Sequence, residues 1–208
     1  DIYQCGLVLV EALTGQPVIQ GKNSAQCLQM AISAQWQIPE ALKNSALAEV
    51  IRKTITIKPA ARYSSAGELR EAIAPDVAAY AAQRATTGDL SALVDCLKEL
   101  ERNEAGSQFE ELNRRFHDLL GWASGNPLFG LLTSSMHLLT REFSSSLGYS
   151  AQERAVQLRF LRRVLEAVRT GDAQAARQAM TRLVSGSASY LAERSPELVS
   201  QRIRWGQI

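Results

Sequence analysis

This chain has few of the residues from which metal centres and disulfide frameworks are built. Only two histidines and three cysteines occur in 208 residues, and Cys5, Cys27 and Cys96 are too far apart for a zinc or redox motif. No apolar run approaches the roughly 18 residues needed to span a bilayer, and no signal-peptide pattern is present. We therefore expect no membrane partner. We also expect buried free thiols, which suit a reducing cytoplasm.

The chain also lacks a strong charge of either sign. Its net charge is +2, with 46% hydrophobic and 21% charged residues, which is ordinary for a globular protein long enough for one large or two small domains. Its densest group of basic residues is interleaved with Glu153 and Glu166, a pattern typical of a solvated helix face. This composition does not indicate DNA binding by the chain itself. The basic residues of that group are Arg154, Arg159, Arg162, Arg163 and Arg169.

Strands are not expected either, because no segment alternates apolar and polar residues over five or more positions. Periodicity and turn residues predict an all-α protein with a change of character at Pro75, hence two units, 1–74 and 75–208. Helices are expected at 2–13, 24–34, 45–57 and 65–74 in the first unit. In the second they are expected at 76–85, 89–103, 107–124, 127–147, 151–170 and 173–192, with a short piece at 196–205.

The most informative segment is 113–126, Asn-Arg-Arg-Phe-His-Asp-Leu-Leu-Gly-Trp-Ala-Ser-Gly-Asn. Asn113 and His117 are four residues apart and therefore share one helical face, about 6 Å from each other. A polar pair on an inward, otherwise apolar face requires a partner, because burying unpaired polar groups costs free energy. The pair is the candidate polar end of a pocket.

Three ordered segments, 73–86, 113–126 and 165–180, together resemble the FCD (FadR C-terminal) effector-binding domain of GntR-type transcription regulators, over residues 70–193. The resemblance implies an antiparallel bundle of six or seven helices around a central pocket. In that family an Asp and three His hold a divalent metal, and the metal binds a small carboxylate effector. By resemblance the bundle also dimerises, and DNA binding belongs to a separate N-terminal module that is missing here.

This sequence departs from the family's metal-ligand pattern at three of four positions. Asn113 stands where the Asp is expected, and Leu161 and Leu183 occupy the two distal histidine positions. Leucine has no metal-binding atom, and His117 alone with an amide holds no divalent metal usefully. We therefore expect no metal and no cofactor, and a drier cavity suited to an organic acid or a more apolar acyl-type ligand. In it, His117 either bonds Asn113 or a backbone carbonyl, or donates to the effector.

Three arginines and the second histidine are weaker candidates for this pocket. Arg84 is its candidate partner for an anionic group, with Arg114 and Arg115 as others, although arginines on bundle surfaces are usually solvated. His137 lies mid-helix with no ligand partner four residues away, which predicts a histidine at the edge of the core or on the surface.

Residues 1–74 resemble a different family. Segments 1–17 and 58–71 look like the helix after the activation segment and the end of the C-terminal lobe of a Ser/Thr protein kinase. There Asp1 would brace a catalytic loop and Arg62 would pair with a glutamate. The Gly-rich loop, phosphate-pairing Lys, catalytic loop and metal-binding motif of kinases are all missing. No enzyme activity is expected; we expect Asp1 to cap a helix and Arg62 to be exposed or loosely paired.

Three hypotheses for the whole chain remain open. The first is the effector-binding, homodimerising domain of a cytoplasmic GntR/FadR-like regulator, with a kinase-like helical segment ahead of it. The second is a fragment of a Ser/Thr kinase fused to a helical sensor or scaffold, catalytically incompetent as given. The third is an accidental join at 69–74, where both family patterns fit. A winged helix upstream would favour the first hypothesis, and a kinase N-lobe the second.

Overall fold

The computed structural model describes residues 2–33, 38–43, 47–64, 66–134, 137 and 149–194. Every regular element in these ranges is helical, so the predicted all-α class is confirmed. The contacts divide the chain into two units with a boundary between Ile73 and Ala74. Within the described ranges, no helix is long and apolar enough to cross a membrane.

The first unit is a set of short helices. Its bounds are α1 (Ile2–Thr14), α2 (Ser24–Ser33), α3 (Glu40–Lys43), α4 (Ala48–Thr54) and a 3-10 turn (Pro59–Ala61). Helix α1 packs on α4 at Gly6, where a Cβ atom would lie 2.6 Å from the Ile55 side chain. Val10, Ile51 and Ile55 are fully buried beside that contact. The unit therefore has a small apolar core of its own.

Arg62 is more firmly held than the sequence predicted. Its Nε donates to the Thr56 carbonyl at 2.6 Å and an Nη donates to the Ile57 carbonyl at 2.9 Å. The guanidinium lies 4.7 Å from the centre of the Tyr3 ring. The expectation of a loosely paired charge is thus wrong, since Arg62 closes the loop after α4 against α1. Asp1 lies outside the described residues, and the kinase resemblance stays a prediction.

The predicted helix boundary at Pro75 is also wrong. Helix α5 runs without interruption from Ala66 to Arg84 with Pro75 inside it. Proline removes one backbone donor and crowds the preceding turn, at a cost of about 3 kcal/mol in a helix interior. The surrounding sequence is rich in alanine, the strongest helix former, and Ile73, Val77 and Ala78 are buried. Local propensity and burial together offset that cost.

The second unit contains the longer helices. After α5 come α6 (Thr87–Arg102), α7 (Phe109–Ala123), α8 (127–134 within the described residues), α9 (Ala151–Arg169) and α10 (Ala173–Arg194). Capping boxes start α6 at Thr86 with Asp89 and α9 at Ser150 with Glu153. These helices match the predicted ones closely, except that most of 135–147 and all of 196–205 lie outside the described residues.

Hairpins define the directions of these helices. Short connections make α6 antiparallel to α7, and α9 antiparallel to α10. Helix α6 also packs on α9. The side chain of Arg162 reaches Glu101, whereas Arg154, further back in α9, reaches the carbonyl of Glu104. Helix α9 is therefore antiparallel to α6, and α7 and α9 run in the same direction.

The second unit is held together by apolar packing and two partly buried ion pairs. Arg154 of α9 donates to the carbonyls of Glu104 and Gly106 and to the carboxylate of Glu110. Asp76 of α5 is buried and pairs with Arg177 of α10. The apolar core is contributed by all four long helices after α5. Its members include Leu93, Leu97, Leu100, Phe109, Phe116, Leu120, Leu158, Leu161, Val164, Ala176, Met180 and Val184.

The three cysteines are free thiols, but they are not all buried as the sequence predicted. Cys5 is exposed and Cys27 is partly exposed, whereas Cys96 is buried. Cys96 lies on α6 where that helix packs on α7, and its thiol donates to the Leu112 carbonyl at 3.5 Å. Burial raises the pKa of the Cys96 thiol from 9.0 to about 11, because a thiolate is poorly solvated there.

We predict that Cys96 resists thiol reagents at pH 8 while Cys5 reacts readily. With a pKa of about 11, only about a thousandth of Cys96 is thiolate at that pH, and the thiolate is the reactive form. A chromogenic disulfide reagent should therefore show a slow step that becomes fast in denaturant and disappears in Cys96→Ala. The raised pKa also implies that folding stability falls as pH rises from 9 towards 11. Equally fast labelling of all three thiols in the folded protein would contradict the prediction.

Candidate functional site

The candidate site is built where α7 and α8 approach closely. A Cβ atom on Gly121 of α7 would lie 3.1 Å from the Gly130 Cα and 3.2 Å from the Phe129 carbonyl oxygen of α8. One on Gly130 would lie 2.5 Å from the indole ring of Trp122. The two glycines allow the backbones to come closer than any other residue would. This close approach also brings together side chains that lie further from the α7–α8 turn, before Gly121 and after Gly130.

The turn between these helices is fixed by the residues that the sequence marked as punctuation. Gly125 has φ of 70°, which only glycine adopts readily. Asn126 then begins α8, its side-chain oxygen accepting from the Leu128 backbone N–H at 3.1 Å, and Pro127 follows at the first helical position. This turn sets the direction in which α8 leaves α7.

Both histidines of the chain meet at this crossing. The rings of His117 and His137 lie 5.9 Å apart between centroids, tilted by 60°. His137 is only 5% exposed, and its Nδ1 lies 2.9 Å from the Asp118 carboxylate, which also accepts from the Ser134 hydroxyl at 3.1 Å. The sequence predicted a histidine at the core edge or on the surface, and a surface position is wrong. It is buried and belongs to the same cluster as His117.

Asn113 lies one turn before His117 on α7, as the spacing required. Its side-chain oxygen is buried and accepts no hydrogen bond from the residues that the structure describes. Leaving such a group unsatisfied costs about 1 to 3 kcal/mol. A hydrogen bond from His117 to this oxygen, one of the alternatives that the sequence left open, is therefore not formed.

Helix directions place Leu161 and Leu183 at the same level as this cluster. Arg154 of α9 contacts Phe109 at the start of α7. Helices α7 and α9 are parallel, so positions can be counted from this contact along both helices. One turn beyond it, Asn113 of α7 is at the same height as Gln157 of α9; two turns beyond it, His117 is at the same height as Leu161. Leu183 follows the α9–α10 turn by about as many residues as Leu161 precedes it. Both leucines are buried.

Gln157 is a polar member of this level that sequence reasoning missed. It is 7% exposed, and its side-chain oxygen is buried without a hydrogen-bond donor among the described residues. Its spacing could have identified it, because Gln157 precedes Leu161 by four residues and the two therefore share one face of α9. Asp118 and His137 carried no such signal, because their meeting depends on the glycine contact between α7 and α8.

The arginines proposed for the pocket have other contacts in the structure. Arg84 is exposed, with its guanidinium 4.9 Å from the centre of the Tyr80 ring and its stem against the Gly125 turn. Arg114 pairs with Glu111, and Arg115 pairs with Glu99. Arg115 is exposed, whereas the Arg114 side chain is only 16% exposed. Any role for Arg84 would be at the rim.

Metal ligands are sparse around the cluster. Nowhere in the described part of the chain do three or more His, Cys, Asp or Glu side chains converge in a way that could hold an ion. The inward polar groups at this crossing are two imidazoles, an amide and the Asp118 carboxylate. The class defined by this fold is a helical bundle with a polar cluster between two of its helices.

Comparison with known proteins specifies the family. Residues 66–186 match the FCD domain, and the chain belongs to that family. The chain is also 27% identical over 132 residues to the galactonate operon transcriptional repressor of Escherichia coli (strain K12), an alignment covering 62% of this chain and 58% of that protein. The chain thus spans less than two thirds of that relative. The resemblance drawn from three sequence motifs is confirmed.

We predict that Gly121→Ala destabilises the protein, because the new methyl group must push apart the α7 and α8 backbones. Overpacking of this kind costs about 1 to 3 kcal/mol. Gly186→Ala is the matched control, since Gly186 is also helical and a Cβ there has nothing within 4 Å. The control should be more stable than the natural protein by about 0.5 to 1 kcal/mol. Urea unfolding measures both, and equal effects would contradict the close contact.

Proposed function

We propose that this chain is the effector-binding part of a GntR/FadR-like transcription regulator, and a regulator rather than an enzyme. The observation that carries the proposal is the FCD match across residues 66–186. That match includes α7 and α8, and within it the rings of His117 and His137 lie 5.9 Å apart and the Asn113 side-chain oxygen is buried. The small-molecule effector is an organic acid or a more apolar acyl-type ligand. Binding it at this cluster would alter the stability of the bundle.

DNA binding in this proposal belongs to an N-terminal module outside the sequence. The relative is named as a transcriptional repressor of a galactonate operon and is longer than the part matched here. The helices described here carry interleaved charges rather than a basic face. We propose residues 75–208 as the sensing bundle and 1–74 as a separate helical segment, acting in the cytoplasm, where a repressor meets its operator.

We propose further that the pocket is metal-free. Leu161 and Leu183 occupy the positions that match the family's distal histidines, and both are buried leucines without a ligating atom. The carboxylate beside the histidines, Asp118, is engaged by the Ser134 hydroxyl and by His137 Nδ1 and would have to give up these contacts to ligate an ion.

Homodimerisation is the third element of the proposal. Trp122 is 47% exposed and Leu131 is 55% exposed, and they flank the Gly130 contact on α7 and α8. Exposed large apolar side chains are common in protein interfaces. This surface is where a second copy would bury apolar area.

We predict that at least one small carboxylate raises the Tm of the protein in a saturable way. A ligand that binds only the folded state stabilises it by about 2.7 kcal/mol at a hundred times its Kd. The panel pairs hydroxy acids with unsubstituted acids of equal length, with sodium chloride as the ionic-strength control. His117→Phe should weaken the effect, whereas Arg169→Gln, a change in an exposed ion pair with Glu166, should not. No response to any acid would contradict the proposed function.

A second prediction concerns metal. Zn²⁺ or Ni²⁺ should not raise the Tm of the natural protein, whereas the triple variant Asn113→Asp, Leu161→His, Leu183→His should gain stoichiometric binding. That variant restores four ligands at one level of the bundle. Calorimetric titration of both proteins measures the difference. Saturable binding to the natural protein that is lost in His117→Ala would show that the pocket is a metal site after all.

A further inference from the structure

Helix α2 of the first unit presents an apolar face to solvent. No residue of this ten-residue helix is buried, and the structure describes the whole of it. Leu28 is 62% exposed and Ile32 is 68% exposed, and Ala25 is exposed as well. These three residues are spaced by three and then four positions, which places them on one side of the helix. Contiguous apolar side chains that remain exposed mark an interaction surface.

The other sides of α2 differ from this face. One side is partly covered and carries Cys27, Met30 and Ala31, and another is polar and exposed, with Gln29 and Ser33. The exposed apolar face is therefore additional to the side on which α2 already rests. A helix of ten residues is only marginally stable in water by itself, so covering this face stabilises the helix.

The apolar face has no charge on it or beside it. Residues 23–39 contain no Asp, Glu, Lys, Arg or His. A strongly charged partner such as DNA or an acidic peptide gains nothing from such a surface, because opposite charges are what attract and orient it. A second copy of α2, in contrast, meets this face without repulsion between like charges. The charge pattern thus favours a neutral partner.

The sizes of the three apolar side chains are complementary to themselves in an antiparallel pair. When two copies of α2 pack across a twofold axis at Leu28, the two Leu28 side chains meet at the axis. Ala25 of each copy then faces Ile32 of the other. A small residue opposite a large one fills the space between helices without a void. The spacing of three and then four residues is also that of the seam between paired helices.

We propose that the face formed by Ala25, Leu28 and Ile32 binds the same face of a second copy of this chain, with the two α2 helices antiparallel. Three side chains per copy bury much less than the roughly 800 Å² per partner of a standard interface. The contact is therefore weak and is observed as association that depends on protein concentration. Trp122 and Leu131 take no part in it, so it is separate from the homodimer contact proposed at α7 and α8.

The first test is sedimentation equilibrium over a range of protein concentrations. The double variant Leu28→Glu, Ile32→Glu places like charges opposite one another and should weaken association by about tenfold or more. Gln29→Glu with Ser33→Glu is the matched control, because it adds the same charges to the exposed polar side of the same helix. The control should associate as the natural protein does. Unchanged association of the first variant, an equal loss in the control, or a natural protein that does not associate would overturn the proposal.

The second test exchanges the residues that face each other. Ala25→Ile alone sets isoleucine against isoleucine, and Ile32→Ala alone sets alanine against alanine. Each should weaken association, the first by overpacking and the second by leaving a cavity. The double exchange restores one large and one small side chain at each contact, so it should recover the association of the natural protein. A double variant that associates as weakly as the single ones would contradict the pairing of Ala25 with Ile32.

The third test is a cross-link at the twofold axis. Packed helices have axes about 8 to 10 Å apart, which brings facing Cα atoms at the axis within the range of about 4.4 to 6.8 Å that a disulfide spans. Under air oxidation catalysed by copper–phenanthroline, Leu28→Cys should form a covalent dimer faster than Gln29→Cys, as measured on non-reducing gels. The natural protein, with partly exposed Cys27 and exposed Cys5, gives the background. Equal rates for the two variants would overturn the proposed geometry.

Discussion

The approach of α7 to α8 at Gly121 and Gly130 is the constraint on which the site depends. Without a Cβ at either position, two backbones lie closer than side chains normally allow. His137, which follows α8 in the chain, lies beside His117 and Asp118 near that contact. The polar cluster is therefore a product of backbone packing. The two glycines that create this contact have no reactive side chain. The histidines of the cluster are far from each other in the chain.

Sequence reasoning predicted the helices and the family because both depend on local patterns. Capping residues, turn glycines and the spacing of Asn113 from His117 act within a few residues, and periodicity reports them directly. It failed at Pro75, where alanine propensity and burial outweighed a single helix breaker. It also failed at His137, whose burial depends on a partner helix. Gln157 could have been identified from the sequence, since it shares a helix face with Leu161. An isolated polar residue on a helix, however, gives no reason to select it.

The substitutions at the family's ligand positions are consistent with one another. Replacing Asp by Asn at 113 and His by Leu at 161 and 183 removes both the charge and the ligands that a cation would need. Around these positions the structure has the amide of Asn113, two imidazoles, the Asp118 carboxylate and buried leucines.

Arg154 has a consequence for how such a site changes over evolution. Its guanidinium holds two loop carbonyls and Glu110, and so fixes the register of α9 against α7 from outside the cluster. A slip of one residue would turn α9 by about 100° and carry Gln157 and Leu161 off the inward face. With the register fixed, the inward residues of α9 can be exchanged one at a time. A lineage could thus acquire a new effector without rebuilding the bundle.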